Sequence, residues 1–275
     1  MMSAMHWLTM SAVTDPGRVR EQNEDAVHID PDAGLAILAD GMGGYNAGEV
    51  ASGMAVSLLG GRLGEFMRAG AVEMAGEGAA SWVRQALTRD IAAVNHEVLS
   101  LSLREVQYAG MGTTLVACCF YRGHLSVAHL GDSRLYRLRA GELSRLTKDH
   151  SLLQIQIDAG IISEEEARYA DNKNLVTRAL GVEPEIEIEI GEYEVAPGDL
   201  YLLCSDGLND MLDDTEIRDA LLAPEDTLAQ RGQRLVSLAN EAGGRDNISV
   251  VLVEVDRNEP AGAGWWQRLM DRLKY

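Results

Sequence analysis

Leu35-Ala36-Ile37-Leu38-Ala39-Asp40-Gly41-Met42-Gly43-Gly44 is an apolar run that ends on a charge and then on glycines. A short apolar run bounded by turn residues reads as a strand. A carboxylate at the end of a buried strand is held rigidly, and the glycines after it let the backbone turn sharply and offer a carbonyl to a hard cation. The construction returns at Leu200 to Cys204, which runs into Ser205-Asp206-Gly207, and a third version, Gly243-Gly244-Arg245-Asp246-Asn247, precedes the apolar run Ile248 to Val255. An Asp-Gly alone is more often a turn than a ligand. Aspartates converging from several strand ends would repel one another, and bound divalent cations are the usual offset. No His or Cys stands among them, so the donor set is all oxygen, which selects Mg²⁺ or Mn²⁺ over Zn²⁺ and suits a two-metal hydrolase.

Around these three motifs the chain alternates between strand and helix signals. Ala26 to Ile29 and Leu35 to Ala39 read as strands between turns. From Ala47 to about Met67 and from about Ala80 to Leu103, where Val83, Leu87, Ile91, Val94 and Val98 fall at helical spacing, two long amphipathic helices are joined by a Gly-rich linker at Gly70 to Gly78. Thr113 to Tyr121, Leu125 to Leu130 and Arg134 to Leu138 read as an antiparallel meander. Ser163-Glu164-Glu165-Glu166 has the form of a capping box, so Ser151 to Asn174 is a mostly helical excursion, a flap over a site. Glu185 to Ile190 alternates Ile with Glu like a half-buried strand, and helices follow Leu200 to Cys204 at Thr215 to Leu222 and Leu228 to Glu241. Runs of strands separated by helix pairs make an α+β layered domain.

Composition narrows the function. The 275 residues carry a formal net charge of −19, which argues against wrapping nucleic acid, because neutralising a phosphate backbone needs clustered Lys and Arg. No apolar run approaches the roughly 20 residues of a membrane span, and Met1 to Met10 lacks the pattern of a secretory signal; a cytoplasmic protein is expected. Cys118, Cys119 and Cys204 are an odd set without CxxC spacing and read as buried thiols. After Pro260, Ala261 to Gly264 is a flexible linker, and Trp265, Trp266, Leu269, Met270 and Leu273 stand opposite Arg268, Arg272 and Lys274 as a short amphipathic tail over 258–275. Docking of that tail on its own domain, and contact with a partner or a membrane surface, are both open.

Six ordered blocks span Ser11 to Val255: Arg20-Glu21-Gln22-Asn23-Glu24-Asp25, Asp40 to Gly44, Gly110-Met111-Gly112-Thr113-Thr114, Gly131-Asp132-Ser133-Arg134, Ser205-Asp206-Gly207 and Asp246-Asn247. In them the chain resembles the PPM (PP2C-type) metal-dependent protein serine/threonine phosphatases, in their compact bacterial branch. The resemblance implies a catalytic domain over 1–257 built as a central antiparallel β-sandwich flanked on both sides by pairs of α-helices, with a binuclear Mn²⁺ or Mg²⁺ centre at one end. By the same resemblance Asp40 bridges both ions, the Gly41 carbonyl binds one, Asp206 and Asp246 bind the other, and Asp25 and Glu24 act mainly through metal-bound waters. Asp132 would hold a third, weaker ion with Asp206, and Arg20 would grip the substrate phosphate. The implied reaction is hydrolysis of phosphoserine or phosphothreonine in protein substrates by a water or hydroxide bridging the two ions, opposing a bacterial Ser/Thr kinase. Phosphate monoester hydrolysis is very slow uncatalysed, so a strong nucleophile and charge neutralisation are what a catalyst must supply.

From its residues alone Arg20 has a second reading, a surface ion pair with Glu21 and Glu24. Gly112-Thr113-Thr114 reads as structural, and Asn247 as orienting Asp246 or its waters. The chain departs from eukaryotic relatives at Met42, where they carry a histidine proposed as general acid, and from many bacterial relatives at Tyr45, where they carry another. Leaving-group protonation then falls to metal-bound water, at the third ion. Two other functions compete: a catalytically weak phosphoprotein-binding regulatory module of the same fold, disfavoured because Asp40, Asp206 and Asp246 are all present, and a nuclease or nucleotide pyrophosphatase, disfavoured by the acidic charge.

Overall fold

The computed structural model describes residues 7–44, 46–69, 78–121, 123–167, 175–223 and 226–256. One antiparallel sheet has the order β1 (Leu8–Asp15), β11 (Ile248–Val255), β10 (Leu200–Cys204), β7 (Arg134–Arg139), β8 (Glu142–Arg145). The other runs β2 (Asp25–Asp30), β3 (Leu35–Met42), β5 (Leu115–Tyr121), β6 (His124–Leu130), β9 (Glu189–Glu194), with β4 (Gly112–Thr113) paired to the end of β3. Helices α1 (Ala47–Arg68) and α2 (Ala79–Arg104) cover the outer face of the second sheet. Across the molecule α5 (Asp206–Asn209), α6 (Asp214–Leu221) and α7 (Leu228–Glu241) cover the first, and α3 (Leu152–Asp158) with α4 (Glu164–Ala167) forms the excursion.

The apolar runs are continuous because their strands are covered on both sides. On β3, Leu35, Ile37 and Ala39 pack on the helix side while Ala36 and Leu38 meet the other sheet. On β10, Leu200, Leu202 and Cys204 face the helices and Tyr201 and Leu203 face inward. Between the sheets Phe120 of β5 meets Tyr201 of β10 edge to face, ring centroids 5.2 Å apart. Each fully buried aliphatic or aromatic side chain in these layers contributes about 1.5–3 kcal/mol, so packing holds the strand ends in place. The layered α+β sandwich expected from the sequence is the fold that forms, and the three cysteines are buried and free.

Some elements differ from expectation. Thr113 to Tyr121, Leu125 to Leu130 and Arg134 to Leu138 are not one meander: β5 pairs with β6, but β7 crosses to the other sheet and pairs with β10 and β8. The crossing is made at Gly131, whose φ is +98°, a region that suits glycine, and it puts Asp132 at the end of the sandwich. The ladder expected at Glu185 to Ile190 starts only at Glu189; Ile186, Ile188 and Ile190 still pack on the helix-side core, so the alternation marked burial and not pairing. Strands β1 and β8 and helix α5 were not anticipated. The Ser163 capping box forms, with Ser163 N–H donating to Glu166 Oε2 at 2.8 Å and Glu166 N–H to Ser163 Oγ at 3.2 Å. The Gly70 to Gly78 linker, save Gly78, together with Tyr45, the end of the excursion at 168–174 and the tail at 258–275, lies outside the described residues.

Candidate metal centre

Asp25 opens β2 and Asp40 nearly closes β3, and the two are register partners across the pair. Asp206 follows β10, and Asp246 lies just before β11. Since β10 and β11 belong to the opposite sheet, the four aspartates approach from both halves of the sandwich. Backbone packing here is tight: a Cβ on Gly41 would sit 2.1 Å from the Gly48 carbonyl oxygen of α1, and one on Gly207 would sit 2.1 Å from the Asn247 carbonyl oxygen. The glycines of the motifs therefore serve close approach as well as turning.

Hydroxyls pin Asp40, Asp25 and Glu24. Asp40 N–H donates to Thr114 Oγ1 at 3.0 Å, and Thr113 Oγ1 donates to the Asp40 carbonyl at 2.8 Å. Thr114 Oγ1 also bonds Ser133 Oγ at 2.7 Å, tying the Asp40 strand to the loop that carries Asp132. Ser205 Oγ donates to Asp25 Oδ2 at 2.8 Å and accepts from Ser249 N–H at 2.9 Å. Glu24 is held by its carbonyl, which accepts from Gly41 N–H at 3.1 Å and from Ser52 Oγ at 2.5 Å. Ser205, Ser133 and the two threonines stand in the quoted blocks, yet sequence gave them no such role, because their partners lie on distant strands.

The electrostatics are those of carboxylates lacking counter-charge. Burial, then the charges of Asp25, Asp206, Asp132 and Asp246, holds Asp40 well above the usual carboxylate range. Burial, then Asp132, Asp210, Asp246 and Asp25, does the same to Asp206. Burial pushes Asp25 and Asp132 up to about 6, against the hydroxyls of Ser249 and Ser205 in the first case and with the charge of Asp149 in the second. Glu24 is raised as well, chiefly by burial. Asp25 Oδ1 is buried with no hydrogen-bond partner. A divalent cation answers both observations, since it supplies the missing positive charge and a ligand for the orphaned oxygen, and the oxygen-only donors fit Mg²⁺ or Mn²⁺.

Arg20 is half exposed and its Nη2 donates to Asp246 Oδ2 at 2.8 Å. The ion pair considered from sequence thus exists, but with Asp246 and not with Glu21 or Glu24. Asn247 differs too: only its backbone N–H reaches Asp246, donating to Oδ1 at 2.9 Å, while its side chain points elsewhere. Beside Asp132 and Asp206 a cavity of about 560 Å³ opens between α3 and the α5–α6 segment, walled also by Asp149, Arg134, Gln154 and Asp214. The excursion therefore does border the site.

A second group of ligand-type side chains, His129, His150 and Glu189, meets behind Gly131. His129 Nε2 lies 2.9 Å from the Gly131 carbonyl, which can only accept, and Gly131 N–H donates to His150 Nδ1 at 3.2 Å, leaving the His150 proton on Nε2 toward Glu189 Oε2 at 3.2 Å. The imidazole rings are stacked, with centroids 4.3 Å apart. The trio clamps the Gly131 peptide, and burial lowers His129 to about 4.

Residues 18–252 match the family described as Protein phosphatase 2C. The chain is 40% identical over 246 residues to the serine/threonine phosphatase stp of Listeria monocytogenes, covering 88% of this chain and 94% of that protein. It superposes on the serine/threonine phosphatase of S. agalactiae with a TM-score of 0.82 at 37% identity, covering 91% of this chain and 100% of that one. On the catalytic domain of the serine/threonine protein phosphatase PstP, crystallised in complex with two manganese ions, the TM-score is 0.79 at 39% identity, with 90% of this chain and 98% of that one covered.

Proposed function

The chain belongs to the protein phosphatase 2C family of protein-serine/threonine phosphatases, and on that premise we propose that it hydrolyses phosphoserine and phosphothreonine in protein substrates with two Mn²⁺ or Mg²⁺ ions. What supports this most is the convergence of Asp25, Asp40, Asp132, Asp206 and Asp246 at one end of the sandwich, each of Asp25, Asp40, Asp132 and Asp206 raised in proton affinity by burial. Asp40 and the Gly41 carbonyl would hold one ion, Asp40 with Asp206 and Asp246 the other, Asp25 and Glu24 would act through water, and Asp132 with Asp206 would take a third and weaker one. Bound ions would lower the pKa of water to supply the nucleophile and would offset charge on the transferring phosphoryl group.

The remaining work falls to the protein's own groups. Arg20 presents a guanidinium at the rim, and a phosphate dianion is matched by its fork of donors. Its present partner, Asp246, is itself an assigned ligand, so a cation there would take over the Asp246 charge and leave Arg20 to the substrate. Met42 has no proton to give, so a leaving alkoxide takes its proton from water. Phosphorylated proteins are the substrates, a Ser/Thr kinase the opposing activity and the cytoplasm the place of action; the family supports these assignments.

The test is phosphate release from a phosphothreonine peptide with Mn²⁺, with EDTA, and by Asp206→Asn. Chelation and the substitution are each expected to lower the rate by at least roughly a hundredfold, given the several kcal/mol that such ions supply. Unchanged release in both arms would refute a metal-dependent reaction. Retained peptide binding with no release by the Mn²⁺-loaded chain would favour the regulatory binding module instead.

A further inference from the structure

The geometry points to Asn247 as the positioning residue that closes the Arg20 loop; this rests on the assignment of Arg20 to substrate phosphate. Asn247 is 5% exposed. Its Nδ2 donates to the Pro16 carbonyl at 3.0 Å and to the Gln22 carbonyl at 2.8 Å, and its Oδ1 accepts from Glu24 N–H at 2.8 Å. Both neighbours of the nitrogen can only accept and the neighbour of the oxygen can only donate, so the orientation of the amide is forced by chemistry. One side chain thereby ties the two stems of the loop that carries Arg20, while Arg20, Glu21 and Gln22 are themselves exposed.

No other side chain meets these demands. Asp offers no donor pair, Ser and Thr have one hydroxyl proton, and Gln adds a methylene that moves the amide out of register with its three partners. On the first stem Arg18 N–H donates to the Gly244 carbonyl at 2.7 Å, and Gly17 N–H to Asp15 Oδ1 at 2.9 Å. On the second stem Asn23 Nδ2 donates to Thr14 Oγ1 at 2.7 Å and the Glu24 carbonyl accepts from Gly41 N–H and Ser52 Oγ. Among the described residues, Asn247 alone joins the Gln22 carbonyl to the first stem at Pro16. Without the amide the guanidinium keeps its charge but loses its fixed place beside Asp246. A displaced Arg weakens phosphate capture before it touches Asp40 and Asp25, whose fastenings through Thr113, Thr114 and Ser205 stay intact. Glu24 loses its N–H bond to Asn247 but keeps the ties of its carbonyl to Gly41 N–H and Ser52 Oγ.

The experiment compares the full-length chain, Arg20→Ala, Asn247→Ala and the double variant in Mn²⁺. It reads KM and kcat for a phosphothreonine peptide, the inhibition constant of inorganic phosphate, and Mn²⁺ affinity by calorimetry. For Asn247→Ala the expectation is a rise of about tenfold in KM and in the phosphate inhibition constant, the scale of one or two net hydrogen bonds. The kcat and the Mn²⁺ affinity should stay within about threefold, and the double variant should be no worse than Arg20→Ala. Asn247→Ser removes both amide donors without adding charge and leaves a smaller void, so it should show the same split if the Ala variant does not fold. Additive losses in the double variant, or a fall in Mn²⁺ affinity with phosphate inhibition unchanged, would overturn the assignment. If Arg20→Ala alone leaves phosphate inhibition intact, Arg20 and with it this role of Asn247 are wrong, whereas the phosphatase reading is tested separately, by phosphate release with Mn²⁺, with EDTA and by Asp206→Asn.

Discussion

Asp25 stands between two opposing influences: burial raises its proton affinity, and the hydroxyls of Ser249 and Ser205 lower it. Replacing Ser205 by Ala removes the 2.8 Å hydrogen bond to Asp25 Oδ2, so the carboxyl should hold its proton to higher pH, above its present value of about 6. The expected outcome is a loss of Mn²⁺ affinity that is larger at pH 6 than at pH 8, because a protonated carboxyl is a poor ligand. Calorimetric titration at the two pH values checks it, and an equal loss at both would count against the hydroxyl's role. Asp40 and Asp206 were legible from sequence because strand-end Asp followed by Gly is a local pattern, and Asp246 from its place just before an apolar run, whereas Asp25, Glu24 and Asp132 were reached only through the family resemblance. Ser205 was not legible, since its partner is 180 positions away on the other sheet and no spacing rule reports such a contact.

Strand and helix signals succeeded where one stretch of chain decides its own burial. The face of α2 built from Val83, Leu87, Ile91, Val94 and Val98 is the buried one, and α7 occupies the predicted bounds. They failed where pairing is decided elsewhere. Thr9 and Ser11 alternate with Leu8, Met10 and Ala12 in β1 as an edge strand should, but only β11, some 240 residues later in register, makes it one. The switch of β7 between sheets turns on Gly131. Its positive φ and the Thr114 Cγ2 that a Cβ would approach to 2.6 Å predict that Gly131→Ala costs about 1–3 kcal/mol. Thermal unfolding should show a melting temperature lower by roughly 3–8 °C, with Asp40 nearby disturbed through Thr114 and Ser133.

At the scale of the whole molecule the acid cluster is a cost that the hydrophobic layers carry. In the metal-free chain Asp25 and Asp132 bind protons up to about 6, against 3.8 for the ordinary group. The folded state therefore holds more protons than the unfolded one in that window, and stability is lost as pH rises from about 4 through 6. His129 opposes this: held near 4 against 6.5, it adds stability above 6.5 that is lost as pH falls toward 4. Two carboxyls, with Asp40 and Asp206 raised as well, outweigh two imidazoles, His129 and His150, the second also lowered by burial. Melting curves in EDTA and in Mn²⁺ at pH 5 and pH 7.5 should show the larger gain from Mn²⁺ at the higher pH, where the carboxylates are bare. A gain that shrinks with pH would contradict a cation cage made of these side chains. Among the described residues no helix is long and apolar enough to cross a membrane.

Asp25 and Asp40 belong to one sheet, Asp206 and Asp246 to the other, and Phe120 against Tyr201 is part of what keeps the two in step. Ions seated among those side chains would act as a keystone, bracing the rim of a vault whose walls are glued far below it. Reciprocity follows from that placement: whatever tightens the vault raises its hold on the keystone, and the keystone in turn stiffens the vault by the same free energy.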